Sequence, residues 1–300
     1  MWGPSSTRIE AREERVAKSP SRQESLEKLP SSLAAWRLGG FLLFATLAAC
    51  HKDAAPAERE ALKVAAAADL SFAFKDVGAA YEKKTGEKVV FSFGATGLLE
   101  KQLAEGAPFD VFAAANVSYA DDAVKAGACE GDSKAIYGAG HIVLYSTKEA
   151  AFHPRTMADL TDARVAKIAI ANPDHAPYGK AAKQAMVRAG VWDKVQSKVV
   201  YGENVQQTLQ FAQSGNADVA IVALSLATVT PGEAAPIPTD LHDPIEQALV
   251  ACTHGKAGTE EGRKFIAFVQ SAEGHAVMRK YGFLLPGEAM PEAKTETGKR

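Results

Sequence analysis

Four short stretches of this chain place small residues, glycines or hydroxyls between an apolar run and a helical pattern. They are Ala68-Asp69-Leu70, Gly94-Ala95-Thr96-Gly97, the segment 172–179 (NPDHAPYG) and the segment 201–205 (YGENV). Each reads as a strand running into a helix amino terminus, where backbone N–H groups lack carbonyl partners and the helix dipole is positive. Such N–H groups cradle small anions, and the Thr96 hydroxyl adds one more donor. Asp69 runs against the pattern, because its carboxylate would meet the anion. Two unit charges 4 Å apart repel by about 4 kcal/mol at an effective dielectric of ~20. Three roles for Asp69 are open. It can cap the helix that begins near Ser71. It can be protonated through burial and the bound anion, and then donate. Or it can accept from a ligand that carries its own proton or a cationic group. The first two are preferred, since the other turns still supply donors.

Other chemistries are poorly supported. Asp69, His175 and Ser225 can be assembled into a hydrolytic triad, but no G-x-S-x-G elbow is present and Ser225 lies in an apolar run. Asp69, His175 and Glu203 lack metal-ligand spacing. His175 either touches the ligand or fixes the shape of its turn, two readings of equal weight. His141 and His242 read as scaffold residues at chain crossings, Asp110 as a structural residue opening a strand, and Tyr281 as core packing. No Walker motif, dinucleotide fingerprint or basic stripe occurs, and the formal net charge of −2 gives nucleic acid no handle.

The elements that must position the turns alternate along the chain. LKVAAAA is a buried strand, 70–85 an amphipathic helix stopped by Gly86, and KVVFSF a second strand. A short helix over 98–105, the strand FDVFAAAN and a helix over 117–126 follow. This β-α-β-α-β order implies parallel strands with right-handed crossovers. HIVLYS, KIAIA, KVVYG, ADVAIVAL and IEQALVAC are further strands; PYGKAAKQAMVRAGV, VQQTLQFAQSG and the run after Thr259 are helices, with a weaker segment near Met157. Two α/β units with the chain crossing between them twice account for this order, and ligands bind where strand carboxyl ends face such a cleft. The spans expected are 62–146 plus 241–286 for one lobe, 147–240 for the other, and a flexible tail over 287–300.

The first fifty residues stand apart. A polar stretch is followed by Arg37 and the apolar run from Leu38 to Ala49, too short for the ~20 residues that span a bilayer. It ends in Leu47-Ala48-Ala49-Cys50, which resembles the lipobox of bacterial lipoproteins. Residues 1–50 therefore read as a leader, Cys50 as a lipidation site, and 51–61 as a tether. Localisation follows as periplasmic or cell-surface, held to a bacterial membrane. Cys129 and Cys252 lack metal spacing; in an exported chain they either form one disulfide or remain two buried thiols.

Taken in order, VAAAADL, FSFGATGLLEKQLAEGAPFDVF, ANPDHAPYGKAAKQAM and RKYGF resemble the molybdate-binding periplasmic protein family over about residues 62–286. The resemblance implies a two-lobed α/β type II periplasmic binding fold, each lobe a mostly parallel sheet flanked by helices. It implies a monomeric solute receptor of an ABC importer that closes by hinge motion on a tetrahedral oxyanion, molybdate or tungstate, without cofactor or catalysis. A membrane permease would be its partner. Position by position, Thr96 fills the family's second hydroxyl site, while Tyr178 and Val205 stand where backbone N–H groups bind, with Ala68 and Ala95 beside them. The first hydroxyl position is Asp69. The family's tyrosine position falls on Ala223, and Ser225, two residues on, would face the same side of an extended strand. The same fold tuned to another small ligand, a sensor accessory, and an exported hydrolase or metal-dependent enzyme are the alternatives.

Overall fold

The computed structural model describes residues 60–288. The leader, Cys50, most of the tether and the tail from residue 289 lie outside the described residues. The chain alternates strand and helix: β1 (Leu62–Ala67), α1 (Ala73–Thr85), β2 (Val89–Gly94), α2 (Thr96–Ala104), β3 (Val111–Ala114), α3 (Val117–Lys125) and β4 (Ala135–Gly140). Next come β5 (Ile142–Ser146), β6 (Ile168–Ala171), α4 (Pro177–Arg188), α5 (Trp192–Val195), β7 (Val199–Gly202), α6 (Val205–Gln213) and β8 (Val219–Ala223). The last elements are α7 (Leu224–Ala227), β9 (Glu233–Pro236), β10 (Ile245–Ala251), α8 (Thr259–Val269) and α9 (Ala272–Lys280).

Two five-stranded sheets result, ordered β2-β1-β3-β10-β4 and β7-β6-β8-β5-β9. In the first, β1 pairs in parallel with β2 and β3, and β10 runs antiparallel to both β3 and β4. In the second, β6 pairs in parallel with β7 and β8, and β5 runs antiparallel to both β8 and β9. Each sheet is therefore parallel apart from one reversed strand, and that strand is the one the chain enters on crossing from the other sheet. The first crossing is the single residue His141, between β4 and β5; the second runs from β9 to β10 and contains His242. Both histidines are buried there, as expected of scaffold residues.

Strand alternation sets the core. In β3, Val111 and Ala113 face one helical layer while Phe112 and Ala114 face the other, against Leu99 and Leu103 of α2 and Ala120 and Ala123 of α3. On the opposite face Phe265 meets Phe74 and Tyr81 edge-on at 6.0 and 5.3 Å, and burying such a ring is worth about 2–3 kcal/mol. Gly86 ends α1 with φ +77° and its N–H on Glu82 O, a conformation that favours glycine.

Several expectations need correction. HIVLYS belongs to the second sheet, so the first lobe boundary falls at His141 and not after Ser146. Strands β4 and β9 escape a pattern reading because AIYGAG and EAAP are too short or too rich in glycine and alanine to carry a strand signature. The helix expected from Leu70 begins only at Ala73, after a one-turn 3-10 segment over Ala68–Leu70. Strand β8 stops at Ala223, and Leu224–Ala227 is helical. Cys129 and Cys252 are joined as a disulfide. Among the described residues no helix is long and apolar enough to cross a membrane.

Candidate functional site

All four turns converge. A small cavity of about 10 Å³ between the sheets is lined by Ala67, Ala68 and Asp69 from the first turn, and by Gly94, Ala95 and Thr96 from the second. Ala176, Pro177 and Tyr178 line it from the third, Asn204 and Val205 from the fourth, and Ala115 completes it. Three of the turns open helices of nine residues or more: α2, α4 and α6. Their small or stiff residues have local causes. A Cβ at Gly179 would lie 2.0 Å from Ala171 O, so only glycine lets α4 start hard against β6. Asn204 caps α6, its side chain accepting from the N–H groups of Gln206 and Gln207, which leaves the Val205 N–H at the cavity wall.

The polar groups of the site are buried. Thr96 is 1% exposed, and its hydroxyl oxygen accepts from Ala115 N at 3.3 Å, leaving its proton for a ligand. Asp69, also 1% exposed, has two unlike oxygens. Its Oδ2 accepts from the Tyr178 hydroxyl at 2.9 Å and from Gln247 Nε2 at 2.8 Å, while Oδ1 is buried without a hydrogen-bond partner. Gln247 also donates to the Tyr178 oxygen at 2.9 Å, and its own carbonyl oxygen accepts from the Tyr137 hydroxyl. Burial raises the Asp69 carboxyl to about 6, and the bonds from Gln247 and Tyr178 oppose that rise. Burial and then the Asp69 charge hold the Tyr178 and Tyr137 phenols well above their usual range, so both remain donors at neutral pH.

Four hydrogen bonds cross between the sheets here, one of them from Gln247 Nε2 to the Tyr178 oxygen. Tyr178 of the second lobe donates to the Asp69 side chain, and Ser225 Oγ donates to the Asp69 carbonyl at 2.8 Å. Gly97 N donates to His175 O at 2.9 Å, and a Cβ at Gly97 would sit 3.0 Å from that same oxygen. The His175 ring bonds Glu203 O at 3.0 Å, tying the third turn to the fourth. His175 thus shapes its turn; it is not on the cavity wall.

The structure brings six of the seven residues singled out in the sequence to one cavity. Asp69, Thr96, Tyr178, Val205, Ala68 and Ala95 are brought together. Ser225 is not an extended-strand residue aimed at a ligand: its hydroxyl is committed to the Asp69 carbonyl. Asp69 caps no helix, since neither the 3-10 turn nor α1 has a side-chain cap. The triad does not assemble, because Ser225 and the His175 ring bond different carbonyls, and among the described residues no cluster of three or more His, Cys, Asp or Glu could hold a metal ion. Gln247, Tyr137 and the side chain of Tyr178 were missed. Gln247 offered a signal, since it shares a strand face with Ile245, Leu249 and Ala251 and is the polar member of an apolar stripe. Gly140 was missed as well: a Cβ there would fall 2.0 Å from the Tyr178 hydroxyl and 2.7 Å from Gln247 Nε2.

Two α/β lobes joined by two crossings, with a small cavity between strand ends, have the architecture of a solute-binding receptor. The family model for bacterial extracellular solute-binding proteins matches residues 62–284, and the chain belongs to that family. It is 35% identical over 245 residues to "Molybdate-binding protein ModA" of Azotobacter vinelandii, covering 80% of this chain and 94% of the relative. It is 30% identical over 257 residues to "Putative ABC transporter substrate-binding lipoprotein YvgL" of Bacillus subtilis, covering 82% and 95%. Among solved structures, the Azotobacter vinelandii periplasmic molybdate-binding protein superposes with a TM-score of 0.69 at 28% identity, over 75% of this chain and 99% of that one.

Proposed function

We propose that this chain is the extracytoplasmic receptor of an ABC importer, closing its two lobes on a tetrahedral oxyanion of the molybdate and tungstate class. The observation that carries the proposal is the convergence of four strand-to-helix turns on one small cavity with no lysine, arginine or histidine in its wall. Neutral donors suit an anion that must also be released to a permease. The N–H groups of Tyr178 and Val205 and the hydroxyl and N–H of Thr96 bind it, with the backbone at Ala68, Asp69 and Ala95 around it. Ser225 and Gln247 hold Asp69 in place. The protein performs no catalysis and works as a monomer. Cys50 carries the lipid that keeps it at the membrane, a reading supported by the Leu-Ala-Ala-Cys step and by the lipoprotein description of the Bacillus relative.

Isothermal titration with molybdate, tungstate, sulfate and phosphate at pH 5 and pH 7.5 tests this. Molybdate or tungstate is expected to bind most tightly at pH 5; no heat with either at both pH values would remove the assignment.

A further inference from the structure

The receptor reading makes Asp69 a problem, since an ionised carboxylate beside a dianion costs more than a hydrogen bond returns. Its environment resolves the problem through the inequality of the two oxygens. Oδ2 already has two donors, whereas Oδ1 is buried with none, on a residue that lines the cavity. Charged and titratable groups around it are few. Helix α4 presents the Tyr178 phenol, and β4 presents the Tyr137 phenol through Gln247 of β10. Helix α7 presents the Ser225 hydroxyl, already donating to the Asp69 carbonyl, and the starts of α2 and α6 present Thr96, Asn204 and Val205. No cation lines the cavity to offset the negative charges. A proton is the remaining means of offset, and the bare oxygen is where it fits.

We propose that this site binds its oxyanion together with one proton, held between Asp69 Oδ1 and an oxygen of the anion, which makes Asp69 the residue that chooses among oxyanions. The inference rests on the oxyanion-receptor reading. A fully deprotonated dianion such as molybdate draws the proton from solvent onto Oδ1, which then donates to the anion. Hydrogen phosphate brings the proton itself, and the Asp69 carboxylate accepts it. The two classes therefore differ in pH dependence. With Asp69 titrating at about 6 before the anion arrives, molybdate binding takes up about one proton at pH 8 and close to none at pH 5. Its Kd rises about tenfold per pH unit above 7, whereas that of hydrogen phosphate stays level between pH 7.5 and 8.5.

The test is titration calorimetry on the protein purified as its host processes it, with sodium molybdate or phosphate as probe. Each measurement is made in two buffers of different ionisation enthalpy, so that the proton count falls out of the difference in heat. Wild type is expected to take up about one proton with molybdate at pH 8. Asp69→Asn, whose amide can donate into the cavity, is expected to bind molybdate with no proton uptake and a level Kd from pH 6 to 8.5. Wild type that binds molybdate at pH 8 with no proton uptake overturns the proposal and leaves the receptor reading standing. Failure of wild type to bind either anion at any pH removes both. The wild-type proton count decides the matter even if the variant does not fold.

Discussion

Asp110 and Asp69 are both buried on the same sheet, Asp110 where β3 begins and Asp69 where β1 ends, and the chain surrounds them differently. Asp110 is met by backbone: Lys63 N at 2.8 Å on Oδ2, and Ala257 N and Gly258 N at 2.9 and 3.0 Å on Oδ1. Both oxygens are satisfied, and Gly255 passes so close that a Cβ would fall 1.9 Å from Oδ1. Its own carbonyl accepts from Cys252 N, beside the Cys129–Cys252 disulfide. Asp69 is met by side chains on one oxygen alone. A buried carboxylate with both oxygens engaged by backbone is a clip that closes a loop; one with a bare oxygen, on a residue lining a cavity, is a contact awaiting a partner. Burial alone would not have told them apart.

The contrast can be broken at its stapled end first. Reducing the disulfide, or Cys252→Ser, releases a link between residues 123 apart in sequence and is expected to cost about 4 kcal/mol in urea unfolding. Asp110→Ala strips three backbone N–H groups of their acceptor and should cost about 3 kcal/mol. In the folded fraction neither change should move the molybdate Kd measured by titration; a tenfold shift would show that the two ends are coupled.

The cavity end should respond with the opposite sign. Asp69 titrates at about 6 in the folded protein against 3.8 for the free side chain, so the folded state holds the proton more tightly. Wild-type stability accordingly falls as pH rises from about 4 to 6 and stays lowered above that. Asp69→Asn removes this loss and is expected to stabilise by about 2 kcal/mol at pH 8 and by nothing at pH 4, as read from paired urea melts. The smallest effect belongs to Tyr178→Phe, which takes one donor from Asp69 at a cost of about 1 kcal/mol. Because that donor favours the charged carboxylate, the midpoint for Asp69 should move above 6, a shift measurable by carboxyl NMR titration.

Much of this molecule was legible in its residues, for reasons that differ by region. Strands such as LKVAAA and IAIA are continuous apolar runs because helices cover both faces, and turns such as GATG and NPDHAPYG punctuate them. Cavity-lining backbone could thus be located without coordinates. Partners distant in sequence could not. Gln247 is 178 residues from Asp69, and nothing local to either says that a crossing from the second lobe brings them together. Ser225 misled for a local reason: the apolar run of β8 continues past the point where Leu224 turns into a helix, so polarity alone hid the strand end. Tyr178 was read for its N–H, while its hydroxyl reaches across the cleft.

The four hydrogen bonds that bridge the lobes at the cavity have a consequence for timing. At about 1 kcal/mol each, they make separation of the lobes an excursion of roughly one part in a thousand. Cargo arrives and departs only during those excursions, so both rates are slowed together while the equilibrium is left largely to the anion contacts. A membrane partner that pulls Ser225 and Tyr178 away from Asp69 would shorten the dwell of the cargo by the same factor, and unloading would begin at the membrane and not in free solution.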